Sequence, residues 1–143
     1  MASATRARTT GGDGKAGRAG LSIVVPCFNE AGGLPQFHAA LSEAVDALTR
    51  TRGLRCEAVY VDDGSKDATF AVASALPARM LDVQVISLSR NFGKEAALMA
   101  GLQHARHDAV LFMDGDGQHP PALIDRLVGH WLDDGYDVIY TAK

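Results

Sequence analysis

Asp114 and Asp116 stand one residue apart at the end of an apolar run, in Val110-Leu111-Phe112-Met113-Asp114-Gly115-Asp116-Gly117-Gln118. In an extended segment residues i, i+2 and i+4 share one side, so Asp114, Asp116 and Gln118 present three oxygen ligands together. Two carboxylates that close repel each other unless a cation or a proton lies between them. A divalent ion that also binds a diphosphate resolves the conflict. The spacing therefore predicts metal-assisted chemistry on a phosphorylated substrate. It is not an EF-hand loop, which needs Asp or Asn at 118 and glycine at 119, where this chain has Gln118 and His119. Glycines at 115 and 117 suit close approach of a ligand to the backbone.

Three further polar clusters each end an apolar run. In Val61-Asp62-Asp63-Gly64-Ser65-Lys66-Asp67 the Asp-Gly pair forms a turn and Ser65 is placed to cap the next helix. Turn chemistry leaves two adjacent carboxylates unexplained, and one of them suits a nucleobase N–H or a ribose hydroxyl. Val25-Pro26-Cys27-Phe28-Asn29-Glu30 reads as a proline-stiffened strand exit, or as a site where Phe28 packs on a base and Glu30 accepts a ribose hydroxyl. In Arg90-Asn91-Phe92-Gly93-Lys94-Glu95 two cations, Arg90 and Lys94, flank a helix N-terminus, which attracts anions; a plain surface helix explains them equally well. His104 and His107 lie near a helix end, where a cation meets the dipole favourably. His119 is placed either to touch a bound phosphate or to face solvent. Gly12-Asp13-Gly14-Lys15-Ala16-Gly17 matches a dinucleotide fingerprint, but it precedes the first expected strand instead of following one, so the match is taken as coincidence.

The elements that must position these clusters alternate regularly. Strands are predicted at 21–27, 55–61, 83–88, 109–113 and 137–140. Helices are predicted from Gly32-Gly33 to about Thr49, from Asp67 to about Leu76 with an acidic first turn, from about Gly93 to Ala105, and from Pro120-Pro121 to about Leu132. Such alternation implies an α/β fold, a mostly parallel sheet with helices on both faces, whose ligands bind outside the carboxyl ends of the strands. Every cluster above falls at a carboxyl end, which points to a single site. A receiver-type signalling domain would carry its acidic pair after the first strand, where this chain has Asn29-Glu30.

The 143 residues, 47% hydrophobic and 22% charged, suit one globular domain. Residues 1–20 lack apolar periodicity and are expected to be a disordered leader, with residues 21–143 as the folded unit. The leader's Arg6, Arg8, Lys15 and Arg18 outweigh Asp13, so a chain of net charge -3 has a remainder at -6, which gives no support for a nucleic-acid surface. Cys27 and Cys56 fit reduced cytosolic thiols. No run approaches 18 apolar residues, so any membrane association is expected from segments beyond Lys143.

Taken in order, the stretches at 25–30, 61–67, 89–97 and 113–121 resemble the family 2 glycosyltransferases, most closely the polyprenyl-phosphate group of dolichol-phosphate mannosyltransferases and bactoprenol glucosyltransferases. The resemblance runs from about Leu21 to Lys143. It implies a GT-A fold and a transferase moving a sugar with inversion from a nucleotide-sugar, a UDP- or GDP-sugar, to polyprenyl phosphate on the cytoplasmic face of a membrane. It implies that Pro26, Phe28, Glu30, Val61 and Asp63 hold the nucleoside. Asp114, Asp116 and Gln118 would hold Mg²⁺ or Mn²⁺ on the diphosphate, and Arg90, Lys94 and Gly115 would lie against the donor. Gly115 and Gly117 depart from the Asp-Ala-Asp-Leu-Gln common in relatives, which keeps the ligands and loosens the loop. The family's length further implies a C-terminally truncated chain that binds donor without turnover. The competing expectations are a family 2 enzyme with a glycan or polysaccharide acceptor, and a non-catalytic nucleotide-sugar-binding module.

Overall fold

The structure is a computed structural model and describes residues 4–9, 20–115 and 123–134. Five strands, β1 (Ala4–Thr9), β2 (Gly20–Cys27), β3 (Arg55–Asp62), β4 (Leu81–Leu88) and β5 (Ala109–Phe112), form one sheet in the order β1-β4-β3-β2-β5. Helices α1 (Leu34–Arg52), α2 (Thr69–Ser74), α3 (Lys94–His104) and α4 (Leu123–Asp134) complete the described residues. β2 pairs in parallel with both β3 and β5, and β3 with β4. This is the mostly parallel α/β architecture the alternation predicts.

The order of the strands fixes where a ligand fits. The chain steps from β2 to β3 to β4 in one direction, then returns to place β5 on the other side of β2. Parallel crossovers are right-handed, so reversing the direction of travel moves the connecting helix to the opposite face of the sheet. Accordingly α1 and α2 pack with α4 on one face, around Ile23, Val25, Tyr60, Leu34, Leu41 and Ile124, while α3 packs on the other with Val24, Val59, Val61 and Ile86. The gap between β2 and β5 is the topological switch point, the usual ligand crevice of such sheets. Two backbone bonds continue the ladder up to it: the Asp63 N–H donates to the Cys27 carbonyl at 2.9 Å, and the Met113 N–H to the Val24 carbonyl at 2.9 Å.

Three expectations change. Six residues of the expected leader, Ala4–Thr9, form β1, antiparallel to β4. β4 would otherwise present an unpaired edge, and such an edge accepts any short extended segment that can complete its ladder; 10–19 lie outside the described residues. The second helix starts at Thr69, not Asp67, and its first turn has no acid. Asp67 stays outside because its carboxylate accepts the Thr69 N–H at 3.0 Å and the Thr69 hydroxyl, a local bond that competes with helix continuation. Ser65 caps no helix, and its Oγ instead accepts the Asn29 N–H at 2.8 Å. The strand expected at 137–140 and the proline pair at 120–121 lie outside the described residues.

The larger core contains one polar pair. The buried His38 ring accepts the Tyr60 hydroxyl at Nδ1, 2.6 Å away, and donates from Nε2 to the Pro77 carbonyl at 2.8 Å, tying α1 to β3 and to the exit of α2. Both bonds use the neutral imidazole, and burial pushes its pKa down. Below about pH 6.5 the unfolded chain therefore takes up a proton that the folded chain refuses, and stability falls until the lowered folded value is reached. Urea unfolding at pH 7.5 and pH 5.5 is expected to show this loss in the wild type, at up to about 1.4 kcal/mol per pH unit from this group. The loss should shrink in His38→Gln; equal slopes in the two proteins would contradict it.

Candidate active site

The segments leaving all four parallel strands meet at one cleft of about 360 Å³. Pro26, Cys27, Phe28 and Glu30 come from the exit of β2, and Asp63 from the exit of β3. Asn91, Gly93 and Lys94 come from the β4–α3 loop, and Asp114 and Gly115 from the exit of β5. Residues up to 89 positions apart in sequence, Pro26 and Gly115, thus line one cleft only because the strands are parallel and end together.

Asp63 organises one side. It is nearly buried, and its carboxylate accepts the Phe92 N–H at 2.9 Å on Oδ1 and the Gly93 N–H at 3.0 Å on Oδ2. Its carbonyl accepts the Asn91 side-chain amide at 3.2 Å. Gly64 completes the clamp: it has φ +69°, and the Arg90–Asn91 backbone lies so close that an added Cβ would stand 2.2 Å from the Arg90 carbonyl carbon. The Arg90 guanidinium stacks 4.7 Å above the Phe92 ring, an arrangement that stiffens the loop.

The opposite loops are stitched together as well. Asn29 adopts φ +53°, a left-handed conformation its short amide tolerates. There its Oδ1 accepts the Lys66 N–H at 2.9 Å, and the Glu30 N–H donates to Thr69 Oγ1 at 2.9 Å. Asp62 accepts the Ser65 N–H at 3.0 Å. Phe28 remains 43% exposed at the cleft, a large apolar surface beside the charged Glu30, Asp63, Lys94 and Asp114. Cys27 lies on the floor as a free thiol. Burial pushes its pKa far up, and the charges of Glu30 and Asp62 push the same way, so it is no nucleophile. Cys56, under the sheet, is pushed up to about 12 by burial.

Asp114 carries a cation. The Lys94 ammonium lies 2.6 Å from its Oδ1, with the Asp114 side chain only 13% exposed and Lys94 52% exposed. A largely buried carboxylate that already attracts a positive charge into the cleft has the chemistry of a hard-cation ligand. Asp116, Gln118 and His119 lie outside the described residues; among those described, no group of three acids, histidines or cysteines is placed to hold a metal.

Of the expected site residues, Pro26, Phe28, Glu30, Asp63, Lys94, Asp114 and Gly115 line the cleft. Arg90 lies behind it, on Phe92. Val61 is fully buried in the smaller core with Val24 and Ala97, because alternation along β3 turns its side chain under α3. Cys27, Asn91 and Gly93 line the cleft without having been singled out, although all three belong to the strand-end stretches. His104 donates from Nδ1 to the Ala100 carbonyl at 2.8 Å, as a helix-end residue.

A doubly wound sheet with acidic and polar loops gathered at its switch point fits the GT-A class. Over 80% of its length the chain superposes on 37% of mannosyl-3-phosphoglycerate synthase from Rubrobacter xylanophilus, with a TM-score of 0.59 and 26% identity. The chain belongs to glycosyl transferase family 2, whose model matches residues 22–142. It is 41% identical over 123 residues to an uncharacterised glycosyltransferase of Synechocystis, covering 86% of this chain and 37% of that one. It is 41% identical over 111 residues to the bactoprenol glucosyl transferase of Shigella phage SfX, covering 78% and 35%. It is also 37% identical over 124 residues to an undecaprenyl-phosphate 4-deoxy-4-formamido-L-arabinose transferase of Klebsiella pneumoniae, covering 86% and 36%. The chain thus spans 35–37% of the length of these relatives. No helix among the described residues is long and apolar enough to cross a membrane.

Proposed function

We propose that the chain supplies the donor site of a glycosyltransferase that moves a sugar, with inversion, from a UDP- or GDP-sugar to a polyprenyl phosphate. The observation that carries this reading is the convergence of four strand-end loops on one cleft, with an aromatic ring and two acids at the β2 and β3 exits and Asp114 facing them from β5. In this reading Phe28 stacks on the base and Glu30 accepts a ribose hydroxyl. Asp63 keeps the Phe92 and Gly93 amides in place, so that the N-terminus of α3 and Lys94 face the diphosphate. Asp114, Asp116 and Gln118 hold Mg²⁺ or Mn²⁺. When bound, that ion neutralises the charge that grows on the diphosphate as the sugar C1–O bond breaks.

The names of the relatives support a polyprenyl phosphate acceptor, and its charge is compatible with direct attack. A phosphate monoester has a second pKa of about 6 and is largely dianionic at neutral pH, so it attacks without help from a strong base. Alignment and leaving-group stabilisation are then what the protein must supply.

Calorimetric titration of UDP- and GDP-sugars with and without Mn²⁺ tests the donor site. Binding is expected to require Mn²⁺ and to weaken about tenfold or more in Asp116→Ala, the scale of one lost charge-assisted contact. Binding that ignores Mn²⁺, or persists unchanged in the mutant, would remove the assignment.

A further inference from the structure

We propose that Lys94 is a built-in counter-cation of the cleft: it holds Asp114 while the site is empty and transfers to the donor diphosphate when a divalent ion takes Asp114. The inference rests on the donor-site reading above and extends it to a residue whose role changes with occupancy.

Three observations carry it. The Lys94 ammonium reaches Asp114 Oδ1 at 2.6 Å across the cleft, although Lys94 begins α3 and Asp114 lies just past the end of β5. The two ends of the pair differ in freedom: Asp114 is 13% exposed and fixed behind the β2–β5 ladder, whereas Lys94 is 52% exposed on a four-carbon stem. The backbone beneath Lys94 is held still, because Gly93 donates to Asp63 and its carbonyl accepts the Ala97 N–H at 3.1 Å. A swing of the side chain is then the only motion needed to carry the ammonium from one wall of the cleft into its middle.

Charge gives the swing a direction. One carboxylate in a low-dielectric wall cannot favour an ammonium and a divalent cation at full strength together, since the two cations repel. The ion therefore displaces the ammonium from Asp114. An arriving diphosphate brings negative charge to the same place and gives the released ammonium a partner. Lys94 thus opposes the bare ion and favours the ion with its donor, which makes the two bind as a unit. Lys94 acts as a positioning residue for metal and donor.

The pair of effects has opposite signs, which a merely structural lysine would not produce. In the full chain, Mn²⁺ alone is titrated by the loss of the free-ion electron paramagnetic resonance signal, and UDP and GDP are titrated calorimetrically at saturating Mn²⁺. Lys94→Gln is expected to bind Mn²⁺ about two- to fivefold more tightly, the scale of a half-exposed ion pair. It is expected to bind the preferred nucleoside diphosphate about tenfold more weakly, and Lys94→Arg to restore most of that loss. Unchanged or weaker Mn²⁺ binding in Lys94→Gln, with a wild type that binds both ligands, overturns the counter-cation role and leaves the donor site standing. A wild type that binds no Mn²⁺ even in the presence of UDP or GDP overturns both. Circular dichroism confirms that the variants, changed at a half-exposed position, keep the fold.

Discussion

Glu57→Ala is expected to destabilise the fold by about 3–5 kcal/mol, the scale of breaking a buried ion pair from one side. Glu57 is fully buried near the amino end of β3, on the face under α3. Its Oε2 accepts the Ser22 hydroxyl and the Arg106 N–H, each at 2.6 Å, and its Oε1 accepts the Gln84 amide at 2.6 Å and Arg106 Nε at 3.3 Å. Arg106 also reaches Asp82 at 3.0 Å, and Asp82 lies beside Glu57 in the β3–β4 register. Removing the carboxylate takes the acceptor from the Ser22 hydroxyl and from one Gln84 amide hydrogen, both without solvent contact, and each such lost bond costs about 1–3 kcal/mol. Ser22 Oγ keeps the His107 N–H at 3.1 Å and Gln84 Nε2 keeps the His104 carbonyl at 2.9 Å. Arg106 is 29% exposed and regains some hydration, which keeps the loss below a simple sum. Asp133→Ala removes a pair of equally short bonds to Arg52, at 2.9 Å, but both partners there face solvent, and its effect should be far smaller. Urea denaturation of the two variants decides the point; similar losses in both would mean that burial does not set the cost.

This network marks the limit of what the sequence reveals. Ser22, Glu57 and Gln84 interrupt apolar strands on one face, two residues before Val24, Val59 and Ile86, with Ser22 level with Glu57 and Gln84 level with Val59. That recurrence is visible in the chain, but its meaning needs the register that sets Ser22 opposite Glu57. The strand-end clusters were legible for the opposite reason. A parallel sheet delivers every carboxyl end to the same side whatever the register, so Phe28, Glu30, Asp63, Lys94 and Asp114 could be assigned to one cleft from order alone. Val61 shows where that logic stops, because a residue one step inside the strand answers to the pleat and not to the site. The exact use of Asp63 was equally hidden. Its partners, the Phe92 and Gly93 amides, are main-chain groups that no side-chain pattern announces.

The two ends of the sheet therefore hold charge in different ways. At the amino side Glu57 is buried with both carboxylate oxygens accepting from protein donors, closing the space beneath the end of α3. At the carboxyl side Asp63 and Asp114 are also largely buried, but they hold groups that border the cleft: two loop amides and one mobile ammonium. The first arrangement resists change, and the second leaves a surface that a ligand can join.

Gly64→Ala is the second large effect expected, and it joins stability to binding. At φ +69° a β-carbon costs about 1–2 kcal/mol from backbone strain alone. Here it would also stand 2.2 Å from the Arg90 carbonyl carbon and 2.3 Å from the Asn91 nitrogen, both main-chain atoms that cannot rotate away. Relief requires the Arg90–Gly93 loop to move outward, at a further cost of about 1–3 kcal/mol for overpacking. The expected total is about 2–5 kcal/mol in urea unfolding. The same displacement pulls Phe92 and Gly93 off the Asp63 carboxylate and shifts the start of α3, so nucleoside diphosphate affinity should fall with stability, at temperatures where the variant remains folded. Lys66→Ala, an exposed change in the same β3–α2 loop, should leave both quantities near wild type, since the Lys66 bond to Asn29 comes from its backbone N–H. A Gly64→Ala protein that loses stability but binds UDP or GDP as the wild type does would show that the loop is scaffold only. Loss of both would place the Asp63–Gly64 turn beneath the donor as the element that sets the position of Lys94.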